Sequence, residues 1–509
     1  MRSAAHNALA GFLSQIDCLP SEAFPVRLQL GRIVTVLLAQ LSRDHEKFNR
    51  VTAVEWLAHF IQLGQARLAP WYAGLVQALL SCLNDSESEL VRSVAKANTA
   101  LMGLVRVTPR GVLEEGGAGG AGGSVFAGVL HSVCESCGAP DRLIRSASLR
   151  WLAMLLQQLP EAVALQRDGI AASLLSNLVD TADPEVLKLN LEVLARLASI
   201  DRTWGFLKDR VLVDLVRLFG EQRGLLESKA AFIIRRLCLL LDPTVVYLGL
   251  SSILARESNM EFAALCVELL NLILLTSAEL SDFRDSLRGC CDVAEAARGS
   301  GGSGRDREVG VFLELFRCWV CNPVATISLC LLVHAYGLSA RLVTRVIDMQ
   351  VTVGLLMQVD KLVQLLESPV FLDVRMALLT PRRASCSELL TTLYGLLMIL
   401  PQGTAYATLK DRLSAVSSLH FAQGVAAGGS AGGSGAGSEG SARAVAGLDV
   451  AAAEAVFAAS QHLFREALSA EIRSRSILGG QAQQAPAQAQ QAPAQAQAAD
   501  GVVVEEAKE

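Results

Sequence analysis

Aromatic residues are scarce in this chain, at 5% of 509 residues, and only eight of its 45 basic residues are Lys. With 51% hydrophobic content, the core must be built from Leu, Ala and Val, as in packed helices. A net charge of −5 and a pI near 5.9 argue against a nucleic-acid footprint. The dominance of Arg, alongside heavy Ala and Gly use, reads as GC-rich coding rather than phosphate recognition. No apolar run reaches the length of about 18 residues that a spanning helix needs. Residues 262–276 are interrupted by Glu268 and Asn271, and residues 389–400 are too few. The positive mean hydropathy of +0.38 therefore points to buried helix, with any membrane contact peripheral. The opening MRSAAHNALAGF lacks the apolar core and cleavage site of a signal peptide.

Recognisable chemistry is also lacking. There is no H-E-x-x-H, no G-K-S/T phosphate loop and no Cys-x5-Arg signature. Gly428-Gly-Ser430-Ala-Gly432 formally matches a nucleophile elbow, but it sits in low-complexity sequence with no strand before it. The seven His are isolated, and His59 and His334 are read as structural residues inside apolar helices. The twelve Cys are scattered and are read as reduced and mostly buried. Cys134-x-x-Cys137, with His131 nearby, and Cys318-x-x-Cys321 have zinc-like local spacing. The pairs stand about 180 residues apart, which is no finger or ribbon spacing. On a helix, i and i+3 simply share a face. The chain is read as non-enzymatic, with no cofactor and no metal.

What the chain does contain is repetition. Five segments share an acidic or polar turn, a short gap, a basic or polar residue and an apolar run. They start at Asp44, Asp85, Asp141, Asp183 and Gln222. The aligned positions Arg50, Arg92, Arg145, Lys188 and Glu227 are 42, 53, 43 and 39 residues apart. The long interval contains a Gly-rich insertion at 115–124, and removing it restores a period of about 41. Arg50 and Arg145 are each followed six positions on by Trp, at Trp56 and Trp151. A period of this length with two helices per unit is that of HEAT or armadillo repeats, so the chain is expected to be an all-α solenoid. The acidic residue is expected to cap each second helix. A weaker sixth unit is expected over residues 257–276.

The organisation read from composition has the repeat array over 1–296 and a Gly/Ser linker over 297–308. A helical C-terminal assembly domain without the repeat then covers 309–422. A flexible Gly/Ala/Ser linker over 423–447, a possible Ala-rich helix over 448–478 and a disordered Ala/Gln/Pro tail over 479–509 complete the chain. Within 309–422, residues 359–371 (VDKLVQLLESPVF) and 389–402 stand out as apolar helices closed by Pro369 and Pro401. Few charges separate these runs, so the domain reads as a surface for a partner or for self-association.

The segment CWVCNPVATISLCLLVHAYGLSARLV, from Cys318, continues through LMQVDKLVQLLESPVF and LTTLYGLLMILPQGTAYATLKDRL. It closely resembles the C-terminal domain of the vacuole-morphology scaffold family. RVTAVEWLAHFIQLG and DPEVLKLNLEVLARLA also look like its HEAT repeats, and the resemblance covers about residues 19–413. It implies a non-enzymatic platform of the complex that makes and degrades phosphatidylinositol 3,5-bisphosphate. Its implied partners are a FYVE-domain phosphatidylinositol 3-phosphate 5-kinase, a Sac-domain 5-phosphatase and a second copy of itself. Its implied place is the cytosolic face of endosomal or vacuolar membranes. The residues inheriting the phosphatase-binding and self-association role are Leu365, Glu367, Pro369, Val370, Phe371, Tyr394, Leu397 and Met398. Family members begin with several further repeats that the kinase contacts, whereas this chain starts partway through the array, as from a truncated gene model or alternative start. The alternative reading is another HEAT adaptor, of the nuclear-transport or vesicle-coat type.

Overall fold

The structure, a computed structural model, describes Gly11 and residues 30–41, 46–114, 124–180, 183–289, 302–348, 351–379 and 384–427. The described residues form helices and no strand. The first half of the array contains α1 (Leu30–Gln40), α2 (Lys47–Gly64), α3 (Tyr72–Cys82), α4 (Ser88–Val107), α5 (Arg110–Glu114), α6 (Val125–Cys137), α7 (Arg142–Gln158) and α8 (Pro160–Ala164). There follow α9 (Arg167–Asp180), α10 (Pro184–Ser199), α11 (Leu212–Glu221), α12 (Arg223–Ser228), α13 (Ala230–Leu240), α14 (Pro243–Leu254), α15 (Met260–Thr276) and α16 (Ser281–Gly289). The last group is α17 (Gly302–Trp319), α18 (Pro323–Leu332), α19 (Tyr336–Ile347), α20 (Val353–Leu366), α21 (Leu372–Ala377), α22 (Ala384–Ile399) and α23 (Thr404–Ala427).

The helices stack in two layers, and the second helices of the expected repeats form one of them. In that layer α2, α4, α7, α10, α13 and α15 pack side by side in chain order. Behind them, α1 pairs with α2, α3 with α4, α6 with α7, and α9 with α10. This is an all-α solenoid. The sixth unit takes its place through α15. The apolar residues that define the repeat are the ones buried: in α10, Val186, Leu187, Leu191, Val193, Leu194 and Leu197 all face the core. Layer contacts also carry polar links between units. The Trp151 ring N–H donates to Asn98 Oδ1 at 2.8 Å, joining α7 to α4 inside the core.

The turn acids divide into two roles. Asp141 and Asp183 cap as expected. Asp141 Oδ1 accepts from Leu143 N at 2.7 Å and Ile144 N at 3.2 Å, and Asp183 Oδ1 accepts from Glu185 N at 2.8 Å. Asp85 does not cap, because α4 begins three residues later. Its Oδ2 instead receives Arg50 Nη2 at 2.6 Å, a buried ion pair between neighbouring units. Gln222 makes no side-chain capping bond at α12, and Asp44 lies outside the described residues. Lys47 with Glu87, Arg142 with Asp183, and Arg235 with Glu279 repeat the link from a second-layer helix to the following unit.

The stack does not stop at the segment expected to be a linker. Helix α17 reaches back to Gly302 and packs on α14, while α18 packs on α15. Asn322 caps α18, accepting from Ala325 N at 3.0 Å, with Pro323 in the first turn as at Asp183-Pro184 and Asp242-Pro243. The two-layer order therefore runs one unit beyond residue 296. Helix α23 likewise extends to Ala427, into the expected 423–447 linker. Residues 115–123, 448–478 and 479–509 lie outside the described residues.

No single helix among the described residues is long and apolar enough to cross a membrane. The bent pair Met260–Thr276 and Ala278–Arg288, at 85°, passes on length and composition only. Its Val267, Leu270, Ile273 and Leu274 are core residues of the solenoid.

Candidate partner-binding site

An open, partly apolar feature of the C-terminal part lies where α22 crosses α19. Small and hydroxyl residues let these helices come close. A Cβ added at Gly395 would lie 2.2 Å from Val343 Cγ1, and one at Gly337 would lie 3.1 Å from the Glu388 carboxylate. The Ser339 and Thr392 hydroxyls meet at 2.8 Å between them, fully buried. Burial raises the Glu388 carboxyl above its ordinary value, with Arg341 acting in the opposite direction.

Along one edge of this crossing the two helices leave a groove of about 530 Å³. Val343, Thr344 and Ile347 of α19 form one wall. Cys386, Ser387, Leu390, Thr391, Tyr394, Gly395 and Met398 of α22 form the other. Met398 is 76% exposed, Tyr394 44% and Ile347 36%, so large apolar side chains rim an open trough. Helix α23 runs beside it, with Ser417 Oγ 3.2 Å from the Tyr394 hydroxyl.

The residues singled out in the sequence do not gather at one place. Tyr394 and Met398 line the groove; Leu397, on the same helix, is half-buried against the core. The stretch from Leu365 to Phe371 forms a fastened corner that contributes nothing to the groove lining. Phe371 is a core residue, 1% exposed. Leu365 and Val370 pack partly against the core, and Pro369 is exposed. Three arginines pin the corner. Arg412 Nε donates to Glu367 Oε1 at 2.6 Å while its Nη2 meets Oε2. Arg288 donates to the Val370 carbonyl at 2.6 Å, and Arg375 to the Ser368 carbonyl at 2.6 Å. Bidentate pairing of this kind fixes geometry as well as charge.

Other exposed apolar residues escaped the sequence reading. Val353 and Met357 stand on α20, opposite the buried stripe Val359, Leu362, Val363 and Leu366. Leu372, Met376 and Leu379 follow on and after α21. A helical projection of α20 carried the signal, since Val353 and Met357 fall off the face that the later leucines define. Of the 18 large apolar residues exposed among the described ones, five precede residue 223 and thirteen lie between Phe232 and Met398. That concentration sets the second half apart, because both halves are described over comparable lengths.

The cysteine pairs take no part in this surface. Burial pushes the Cys134 thiol up to about 11 and that of Cys137 to about 12. Cys321 is likewise raised to about 12, and Cys318 well above its ordinary value. Such thiols stay protonated near neutrality and are poor nucleophiles. Among the described residues no group of three or more His, Cys, Asp and Glu is placed to hold a metal. His131 pairs with Glu135 at 3.2 Å on the exposed face of α6. His334 is not inside a helix: with φ of 63° it occupies the left-handed turn after α18, where Ala335 N–H returns to the Cys330 carbonyl at 2.9 Å.

Comparison with known proteins places this surface in context. A family model described as vacuolar protein 14 C-terminal Fig4p binding matches residues 223–416, the stretch that holds thirteen of the exposed large apolar residues and the groove. The protein VAC14 homolog of Arabidopsis thaliana is 36% identical over 425 residues, covering 83% of this chain and 52% of that protein. The VAC14 homolog of Schizosaccharomyces pombe is 27% identical over 395 residues, 77% of this chain and 46% of that protein. The vacuole morphology and inheritance protein 14 of Saccharomyces cerevisiae is 27% identical over 393 residues, 77% of this chain and 41% of that protein. The chain thus spans about half the length of these relatives. The helical array, the matched C-terminal stretch and three relatives of one kind agree, and the chain belongs to the VAC14 family.

Proposed function

We propose that this chain is a non-enzymatic scaffold of the endolysosomal or vacuolar complex that synthesises and turns over phosphatidylinositol 3,5-bisphosphate. Its C-terminal half docks a Sac-domain 5-phosphatase, and the α19–α22 groove with Tyr394 and Met398 is the anchor. The observation that carries this reading is the gathering of exposed apolar side chains in the stretch that matches the Fig4p-binding model. Large apolar side chains exposed at the rim of a groove mark interaction sites, and Met side chains adapt to a partner's shape. The mechanism is proximity: enzymes held on one platform at the membrane work at raised effective concentration. Binding of the 5-kinase and self-association through 309–422 belong to the same proposal and rest on the family resemblance. So does peripheral placement at the cytosolic face of the membrane.

Co-precipitation of the intact chain with a Sac phosphatase tests the anchor. Met398→Asp and Tyr394→Asp should each reduce recovery about tenfold, as expected for a side chain near the centre of an interface. Leu165→Asp, at a still more exposed apolar site on the solenoid, should leave recovery unchanged. Unchanged recovery with both groove variants would remove the groove from the interface. Phe371→Asp is uninformative here, because that side chain belongs to the core.

A further inference from the structure

The groove has a candidate occupant within the same polypeptide. We infer that residues 448–478 dock as a helix into the α19–α22 groove of their own chain. Three observations carry this. The first is that the groove is open, its rim of Ile347, Tyr394 and Met398 exposed among the described residues.

The second is where the described chain ends. Helix α23 passes the groove at Ser417, whose hydroxyl is 3.2 Å from that of Tyr394, and continues to Ala427. Those ten further residues span about 15 Å of helix. The next twenty, 428–447, are Gly, Ala and Ser except for Glu439, Arg443 and Val445. A chain of that composition has a root-mean-square reach of about 25 Å. The tether therefore returns residues 448–478 to the groove at millimolar effective concentration.

The third is complementarity of length and chemistry. Phe457 and Phe464 are the only aromatic residues after Phe421. With Val450 and Leu468 they recur at intervals of seven, seven and four, the spacing that would put all four on one face of a helix. From Phe457 to Leu468 that face is about 16 Å long at helical rise. The α22 wall, from Cys386 to Met398, spans twelve residue steps, about 18 Å at helical rise. Two large apolar rings in an otherwise Ala-rich stretch gain free energy from cover, and the trough offers a partly apolar lining of similar length.

The inference uses the same groove as the proposed phosphatase site without depending on it. If both hold, the tail competes with the partner, and partner capture begins with displacement of the tail.

Photo-crosslinking in the full chain tests it, with p-benzoylphenylalanine in place of Met398 and equal amounts of light-nitrogen and heavy-nitrogen protein mixed before irradiation. The expected product joins position 398 to residues 448–478 within chains of one isotope. Its yield should fall about tenfold in the Phe457→Asp, Phe464→Asp double variant, the effect of a loss of about 1.4 kcal/mol. Products joining light to heavy chains would identify a second copy as the occupant and overturn the inference. So would products outside 448–478, or a yield unchanged by the double variant. No phosphatase is present, so failure here leaves the phosphatase reading intact, and failure of the co-precipitation leaves this one intact.

Discussion

The absence of one methyl group at residue 395 sets how closely α22 approaches α19. Val343, the side chain that a Cβ there would meet at 2.2 Å, is buried and β-branched, so it cannot swing aside cheaply. Gly395→Ala should therefore lower stability by about 1–3 kcal/mol, the usual cost of overpacking. Adding Val343→Ala to that variant should restore part of the loss, read as a favourable coupling in a double-mutant cycle by urea unfolding. An unfolding midpoint for Gly395→Ala equal to that of the unaltered chain would mean that the two helices are not locked at this distance. Nothing in LYGLLM marks this glycine as a contact point, since the contact arises only when Val343, about fifty residues earlier, is brought against it. Phe371 illustrates the converse: a Phe after Ser-Pro reads equally as anchor or core, and only its packing decides. Tyr394 and Met398 belong to an all-round apolar helix, so the sequence could name them without saying which edge stays open.

At the scale of the element, the acids that open each second helix were legible as a pattern but not as a single role. Asp141 sits directly before α7 and takes two backbone N–H groups, so Asp141→Ala should cost about 1 kcal/mol. Asp141→Asn, which keeps an acceptor, should cost little. Asp85 is different. It balances the buried Arg50 guanidinium of the preceding unit, and its removal strands a cation in the core. Asp85→Ala should cost about 3–5 kcal/mol by thermal or urea unfolding. Equal losses for the two Ala variants would show that Asp85 acts only as a local cap. A spacing shift of two residues between acid and helix start separates the roles, and a register difference of that size lies below what periodic pattern reading resolves. Helix α20 was more transparent: the stripe Val359, Leu362, Val363 and Leu366 that marked it in sequence is its buried face. Its exposed edge at Val353 and Met357 shows only in a helical projection, as apolar residues that fall off that stripe.

For the whole molecule, the period of about 41 residues was enough to predict two layers of helices, because each unit must bury its apolar face on the next. The boundary was not legible. Gly and Ser around residue 300 report a local backbone tendency and say nothing of what packs beyond them. Across that point the chain is tied at several places. The Trp319 indole, fully buried, stacks on Tyr247 with ring centres 6.4 Å apart, and its N–H points to Asn271 Oδ1 at 3.4 Å. Gln358 donates to Glu268 at 2.6 Å, and Arg288 of α16 holds the Val370 carbonyl. Units coupled this way should not melt separately. Trp319→Ala, which removes a large buried side chain, should cost about 3–5 kcal/mol. Hydrogen exchange would locate the loss, and protection should fall in α14 and α15 as well as in α18. Protection falling only after residue 302 would mean that the array and the C-terminal helices are independent bodies. A loss shared across the boundary would make the repeat array the foundation on which the groove-forming helices stand, so that damage far from the groove weakens the groove itself.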